Sequence, residues 1–225
     1  MNTLWTFGCS YTDGYGKIPE KKTKSLSLYE RYYFYKGYFP KIWNEVLAEK
    51  LNFNLENKGK QATGFEYSFE QLCIVSDDIQ KNDIVIFQVP FIERYRIPSH
   101  ENNWNNISSD YDGKLQPKLF SEMRAVQRTH NLYKQEVFNY LNLINNFSKL
   151  KKFDFYVWFA DGIFYDYVDT NDDMYLLNGN CFLKVFENGG LKINEETNNK
   201  INDLHFGELA HKIMGNMFYE HITKK

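Results

Sequence analysis

Two short segments at opposite ends of the chain carry the residue types of nucleophilic catalysis. One reads Phe7-Gly8-Cys9-Ser10-Tyr11-Thr12-Asp13-Gly14 and the other Asn202-Asp203-Leu204-His205-Phe206-Gly207. A serine hydroxyl is a weak nucleophile until a base takes its proton. An imidazole base, in turn, needs a carboxylate to fix its tautomer and to stabilise the cation it becomes. Ser10 follows a glycine that permits a sharp turn after an apolar run, so its hydroxyl and its own N–H can face the same space. Asp203 and His205 stand two apart in a segment expected to be extended, which puts both side chains on one side. Each segment alone also has a plainer explanation: Gly-Cys-Ser at a strand end is an ordinary turn, and Asp203 ahead of a helix can be its cap, with His205 on the surface.

The elements that must position these residues follow from hydrophobic periodicity. Leu4 to Phe7 is a short buried strand ended by Gly8, Asn54 to Gly59 a short strand and turn, and Phe153 to Phe159 another buried strand. Asp83 to Val89 is apolar on both faces, as in a parallel sheet covered by helices on each side. Helical spacing appears over 41–51 (Ile42, Trp43, Val46, Leu47, Leu51) and over 67–79 (Phe69, Leu72, Cys73, Val75). It recurs over 120–150 (Val137, Leu141, Ile144, Phe147) and in a C-terminal stretch with Leu209, Ile213 and Met217 beside Met214, Phe218 and Ile222. Alternating strands and helices predict an α/β fold with a mostly parallel sheet, in which sites form at the carboxyl ends of the strands. The chain is expected to be a single unit over 1–225, with loop insertions near 17–40, 95–118 and 165–202. The first of these opens on Lys17, Lys21, Lys22 and Lys24 and continues through Tyr29 to Phe39, which reads as a solvated surface loop or as an aromatic wall for a ligand.

Composition excludes several classes. The 225 residues carry 27 Lys+Arg against 29 Asp+Glu, a formal net charge of -2, so no basic stripe for a phosphate backbone is present and nucleic acid is not an expected partner. Cys9, Cys73 and Cys181 are widely spaced without a CxxC, which suggests neither a zinc site nor a disulfide framework. His205 and His211 have no third ligand spaced with them, and Asp161-Gly162 reads as a turn. GxxxxGK and GxGxxG are absent, so neither a metal nor a nucleotide cofactor is expected. No stretch approaches the roughly 18 apolar residues of a membrane span, and no basic leader opens the chain, so a cytoplasmic setting is the expectation. The unusual figure is 18% aromatic residues, enough to predict a ring-rich core and half-wet tyrosines at the surface.

Taken together, the end segments resemble the GDSL/SGNH hydrolase family. Gly8-Cys9-Ser10-Tyr11 followed by Thr12-Asp13-Gly14 is similar to its opening Gly-Asp-Ser-Leu block, and Asp203-Leu204-His205 to its closing Asp and His before the last helix. The resemblance implies a three-layer α/β/α sandwich, flavodoxin-like, with Ser10 as nucleophile, His205 as base and Asp203 as its carboxylate. In that family the oxyanion is held by the serine N–H, a glycine N–H of a second block and an asparagine of a third. Asn57-Lys58-Gly59-Lys60-Gln61-Ala62-Thr63-Gly64 resembles the second block. Aligning its asparagine with Asn57 places the glycine at Ala62, with Gly59 and Gly64 as neighbours, so Ser10, Gly59 and Ala62 are the expected oxyanion donors. Three positions depart from the pattern. Cys9 stands for the usual Asp, Asn202 occupies the usual Asp position three before the histidine, and the third block reads Pro90-Phe91-Ile92-Glu93-Arg94 without an asparagine. Gln88, Asn57 and Arg94 are the candidates to supply that donor or touch the substrate. The implied activity is hydrolysis or transfer of an acyl group on a small-molecule or glycan ester, O-acetyl sugars being favoured by the many tyrosines. The alternative is an SGNH fold that has lost efficient catalysis and serves as a binding or assembly module.

Overall fold

The structure is a computed structural model, and it describes residues 1–14, 28–61, 63–91, 95–98, 104–107, 130–167, 174–176 and 181–224. Four parallel strands form its sheet: β1 (Thr3–Phe7), β2 (Asn54–Asn57), β3 (Ile84–Val89) and, numbered β6 in chain order, Asp154–Phe159. Their spatial order is β2-β1-β3-β6. Every residue of β3 is buried, which is why it reads as an unbroken apolar run in the sequence.

Side chains of the central strands sort to two faces with period two. On one face Phe7, Val85, Phe87, Phe155 and Val157 pack under α4 (Phe65–Val75) and the long helix α5 (His130–Lys151), whose Val137, Leu141 and Ile144 line its inner stripe. On the other, Leu4, Ile84, Ile86, Tyr156 and Trp158 pack under α3 (Trp43–Leu51), α6 (Cys181–Glu187) and α8 (Glu208–Thr223). The chain is therefore an α/β protein with helices on both sides of a parallel sheet. At Gly215 of α8 a Cβ would stand 2.8 Å from the Trp43 carbonyl oxygen and 2.8 Å from Val46 Cβ, so glycine sets the close approach of α3 and α8.

The segments expected to be insertions carry local structure. Within 17–40, residues 28–36 form helix α2 (Leu28–Lys36). Its periodicity is invisible in the sequence because aromatics fall on every face, and Tyr32 is the one of its described rings that is fully buried. The basic cluster of Lys17, Lys21, Lys22 and Lys24 lies outside the described residues, as do 120–129 of the expected long helix. Within 95–118, β4 (Tyr95–Pro98) pairs antiparallel with β5 (Trp104–Ile107). Within 165–202, α6 and the one-turn helix α7 (Ile193–Glu196) both pack onto the second face or its margin.

The strand order reverses direction between β1 and β3, and the crevice beyond their carboxyl ends is where open α/β sheets place ligands. Ser10 lies there. No helix among the described residues is long and apolar enough to cross a membrane.

Candidate active site

Ser10 is the first residue of α1 (Ser10–Asp13), a single turn separated from the end of β1 by Gly8 and Cys9. Gly8 makes the turn possible by its lack of a side chain: a Cβ there would stand 2.5 Å from Gln88 Oε1 and 2.6 Å from Thr12 Oγ1. Gln88, fully buried on β3, holds the turn from beneath. Its Oε1 accepts from the Cys9 N–H (3.0 Å) and from the Thr12 hydroxyl (2.6 Å), while its Nε2 donates to Cys9 Sγ (3.0 Å). Asn57 holds it from the side. Its Nδ2 donates to the Thr12 carbonyl (2.9 Å), and its Oδ1 accepts from the Gly59 N–H (2.9 Å) and the Thr6 hydroxyl (3.2 Å). Asn44, buried on α3, adds Nδ2 bonds to Thr6 Oγ1 and the Thr12 carbonyl. Three carboxamides thus fix a four-residue helix that has too few internal bonds to stand alone.

Three residues that the sequence offered as donors or substrate contacts have internal partners in this arrangement. Gln88 and Asn57, expected at the substrate, have their carboxamides engaged in supporting the serine turn. Gly59, expected as an oxyanion donor, gives its N–H to Asn57 in an Asx turn. Ala62 and Arg94 lie outside the described residues.

At the other end, residues 203–207 run against 191–194 in an antiparallel zipper. Asn194 N–H donates to the Asp203 carbonyl, Ile193 N–H to the His205 carbonyl and Gly207 N–H to the Leu191 carbonyl, at 2.8–2.9 Å. Asp203 Oδ1 accepts from the His205 backbone N–H (2.8 Å) and lies 2.6 Å from His205 Nδ1. The far ring nitrogen, Nε2, lies 2.8 Å from Ser10 Oγ. The structure thus brings Ser10, His205 and Asp203 into one hydrogen-bonded run across 195 positions of sequence. Asn202, at the more usual carboxylate position, is exposed to solvent.

Electrostatics suit this arrangement. Burial pushes the Asp203 carboxyl upward, but the hydrogen bond and charge of His205 outweigh it and hold the group below its ordinary value, with the Arg31 guanidinium adding in the same sense. Asp203 is therefore ionised at neutral pH. His211, buried on α8, is pushed down to about 3 by burial first and by the charge of His205 second, so it is a neutral imidazole whose Nδ1 accepts from the Trp43 N–H (3.3 Å). The rival sulfur nucleophile Cys181 is raised to about 12 by burial and stays a thiol. Among the described residues no three His, Cys, Asp or Glu side chains are grouped to hold a metal ion.

Two contributors were not legible beforehand. The Tyr11 ring lies 4.8 Å from the His205 ring and packs edge-on against Phe182 and Phe206, with Phe91 beyond, so the imidazole is walled by aromatics. Its position next to Ser10 was the available signal. Arg31 gave none, since its segment read as a loop.

No family model matches the chain, and no curated protein matches it. Among solved structures it is similar to one described as a "putative lipolytic protein of G-D-S-L family" from Desulfitobacterium hafniense DCB-2. The two share 13% identity, with a TM-score of 0.38 over 98% of this chain and 99% of that one.

Proposed function

We propose that this chain is a serine hydrolase acting on ester bonds, with Ser10 as nucleophile, His205 as general base and acid, and Asp203 as the carboxylate that orients His205. The observation that carries it is the continuous run from Ser10 Oγ through both nitrogens of one imidazole to an ionised carboxylate, at 2.8 and 2.6 Å. With His205 protonated on Nδ1 toward Asp203, Nε2 accepts the Ser10 proton as Oγ attacks the ester carbonyl. The tetrahedral intermediate collapses, its alcohol leaving with the proton from Nε2. A water then repeats the sequence on the acyl-serine, giving up a proton to Nε2 and releasing the acid. The Ser10 N–H, at the first position of α1 beside the nucleophile, is the oxyanion donor in this scheme. Ala62 and Arg94 are the chain's remaining candidates for a second.

An O-acylated sugar is the favoured substrate. Tyr33, Phe34, Tyr35, Tyr38 and Phe39 are exposed on α2 and the turn after it, and flat aromatic faces stack on sugar rings. Acyl transfer to another acceptor would use the same residues. A binding or assembly module is the second reading, favoured by the engagement of Gly59, Asn57 and Gln88 in internal bonds, which takes three expected groups away from the oxyanion.

The test is hydrolysis of p-nitrophenyl acetate and labelling by a fluorophosphonate, with wild type, Ser10→Ala and His205→Ala side by side. Turnover and labelling in wild type, reduced by about a thousandfold or more in each variant, is the expected result. Equal background in all three, with no labelling, would overturn the hydrolase reading in favour of the module.

A further inference from the structure

The zipper that carries Asp203 and His205 is closed into a ring by a residue outside the Ser-His-Asp run. Residues 191 and 192 lead directly into α7, whose first two residues also donate to the zipper, and Glu196, the last residue of α7, turns back to the start of α8. There its Oε2 accepts from the Glu208 backbone N–H at 2.7 Å. The ring of covalent and hydrogen bonds from 191 to 208 thus encloses both Asp203 and His205. Gly207 lets Glu196 close in, because a Cβ there would meet Glu196 Oε2 and displace it.

Helix α2 locks this ring from outside. The Tyr32 hydroxyl donates to Glu196 Oε2 (2.6 Å) and accepts from the Glu208 N–H (3.0 Å), while the Tyr32 ring is buried among Ile42, Ile193 and Ile201, which flank the zipper. Lys36 pairs with Glu196 Oε1 and, at 3.3 Å, with Glu208. Tyr38 donates to Glu208 Oε2 at 2.6 Å. Burial opposes the Lys36 charge, but the Glu196 carboxylate outweighs it and raises the ammonium above its ordinary value, so Lys36 is charged at neutral pH. The same helix carries Arg31, whose charge bears on Asp203.

We propose that Glu196 is a positioning residue, clamping the Asp203–His205 loop to α2 and to the N-terminus of α8 so that His205 Nε2 is held at Ser10. Glu196 touches none of the three groups and takes no proton in the reaction; it acts through the loop. The role matters because displacing a reacting group by about 1 Å can lower a rate by about 100-fold. The proposal rests on the hydrolase reading for its kinetic consequence, but not for its structural one.

The test compares Glu196→Ala with Glu196→Gln, since glutamine keeps an acceptor oxygen for the Glu208 N–H and the Tyr32 hydroxyl but not the charge. In p-nitrophenyl acetate hydrolysis, Glu196→Ala is expected to lower kcat by about 10- to 100-fold with KM within about threefold, and Glu196→Gln to restore most of it. Active-site titration with the fluorophosphonate separates a slow enzyme from a smaller folded fraction. Independently of activity, the downfield Nδ1–H proton resonance of His205 should vanish or broaden in Glu196→Ala and persist in Glu196→Gln. If Glu196→Ala does not fold, Tyr32→Phe keeps the buried ring, removes the hydroxyl and should move both readouts in the same direction. A folded Glu196→Ala with unchanged kcat and an unchanged resonance would overturn the clamp, as would equal losses in the alanine and glutamine variants. A wild type without esterase activity would sink the hydrolase reading alone, and the resonance would then decide the clamp by itself.

Discussion

Replacing Asp203 by asparagine tests the proposed triad at its most specific point. One carboxylate oxygen, Oδ1, takes both bonds from His205, the backbone N–H at 2.8 Å and Nδ1 at 2.6 Å. An asparagine that keeps its oxygen at this position retains both bonds, so the backbone N–H selects the amide orientation and the imidazole keeps its tautomer. The loss is then the negative charge alone. A hydrogen bond to a charged group contributes about 1.5–3 kcal/mol against about 1 for a neutral one, which sets the smaller end. When His205 becomes cationic, two unit charges about 4 Å apart at an effective dielectric of about 20 attract by about 4 kcal/mol, which sets the larger end. The side chains of His205 and Asp203 are 31% and 18% exposed, so neither the aqueous nor the dry limit applies. Asp203→Asn should therefore lower kcat by roughly 10- to 1000-fold in the p-nitrophenyl acetate assay, with fluorophosphonate labelling slowed in parallel. Asp203→Ala, which also frees the His205 backbone N–H, should lose more. A loss of about 10,000-fold or greater in the asparagine variant would mean that the amide had turned its NH2 to the imidazole and forced the wrong tautomer, refuting the two-bonds-to-one-oxygen argument. No loss would remove Asp203 from the site.

Three further outcomes are expected. Gln88→Leu leaves the Cys9 N–H and the Thr12 hydroxyl buried without their acceptor, at about 1–3 kcal/mol each, so urea unfolding should show a loss of roughly 2–6 kcal/mol; an unchanged midpoint would refute its supporting role. Gly215→Ala should destabilise by about 1–3 kcal/mol because the new methyl meets Trp43 and Val46, despite alanine's better helix propensity, and a more stable variant would contradict that packing. His211, held neutral with a folded pKa of about 3, takes up a proton far more readily when unfolded, where its pKa is about 6.5. Its stabilising contribution is complete above that value and falls as pH drops, so unfolding free energy should decrease by about 2 kcal/mol between pH 7 and 5, a slope that His211→Gln should flatten. Asp203, whose folded pKa is lowered, loses its contribution only at more acid pH, below about 4, and does not obscure that window.

The legible parts of this fold are those in which one physical demand dominates. β3 reads as a strand because all six of its residues are buried, and α3, α5 and α8 read as helices because each offers a single apolar stripe to the sheet. α2 did not, because Tyr32, Tyr33, Phe34 and Tyr35 distribute apolar surface around the helix and only the pattern of burial reveals an inner face. Ser10, His205 and Asp203 stood out as the proposed nucleophile, base and carboxylate because those roles are defined by residue type. Supporting residues are not. Gln88 in a buried strand and Glu196 at the end of a one-turn helix carry no mark in sequence, since their partners, Cys9, Thr12 and Glu208, become neighbours only through strand register and loop closure. Gly59 and Asn57 were ambiguous for a related reason: the Asx turn that engages them locally uses the same groups that a ligand would need.

The two halves of the site are built separately, and Trp43 joins them. The Ser10 turn is fixed by β1, β2 and β3 through Asn57 and Gln88, whereas the His205 loop is fixed by α7, α8 and α2 through Glu196. Among the described residues no strand pairing links the two. Trp43, fully buried at the start of α3, donates its indole N–H to the Tyr11 carbonyl (2.9 Å) and its backbone N–H to His211 on α8 (3.3 Å). Trp43 therefore ties the helix that begins at Ser10 to the helix that follows His205, alongside the Tyr11 ring that packs on His205 and Phe206. This gives the neutrality of His211 a structural meaning. A protonated imidazole could not accept the Trp43 N–H and would place a buried positive charge beside His205, opposing the cation that His205 must become in the proposed reaction. The burial that keeps His211 neutral thus preserves the link between the two halves and sets no second buried cation against His205 in the proposed reaction.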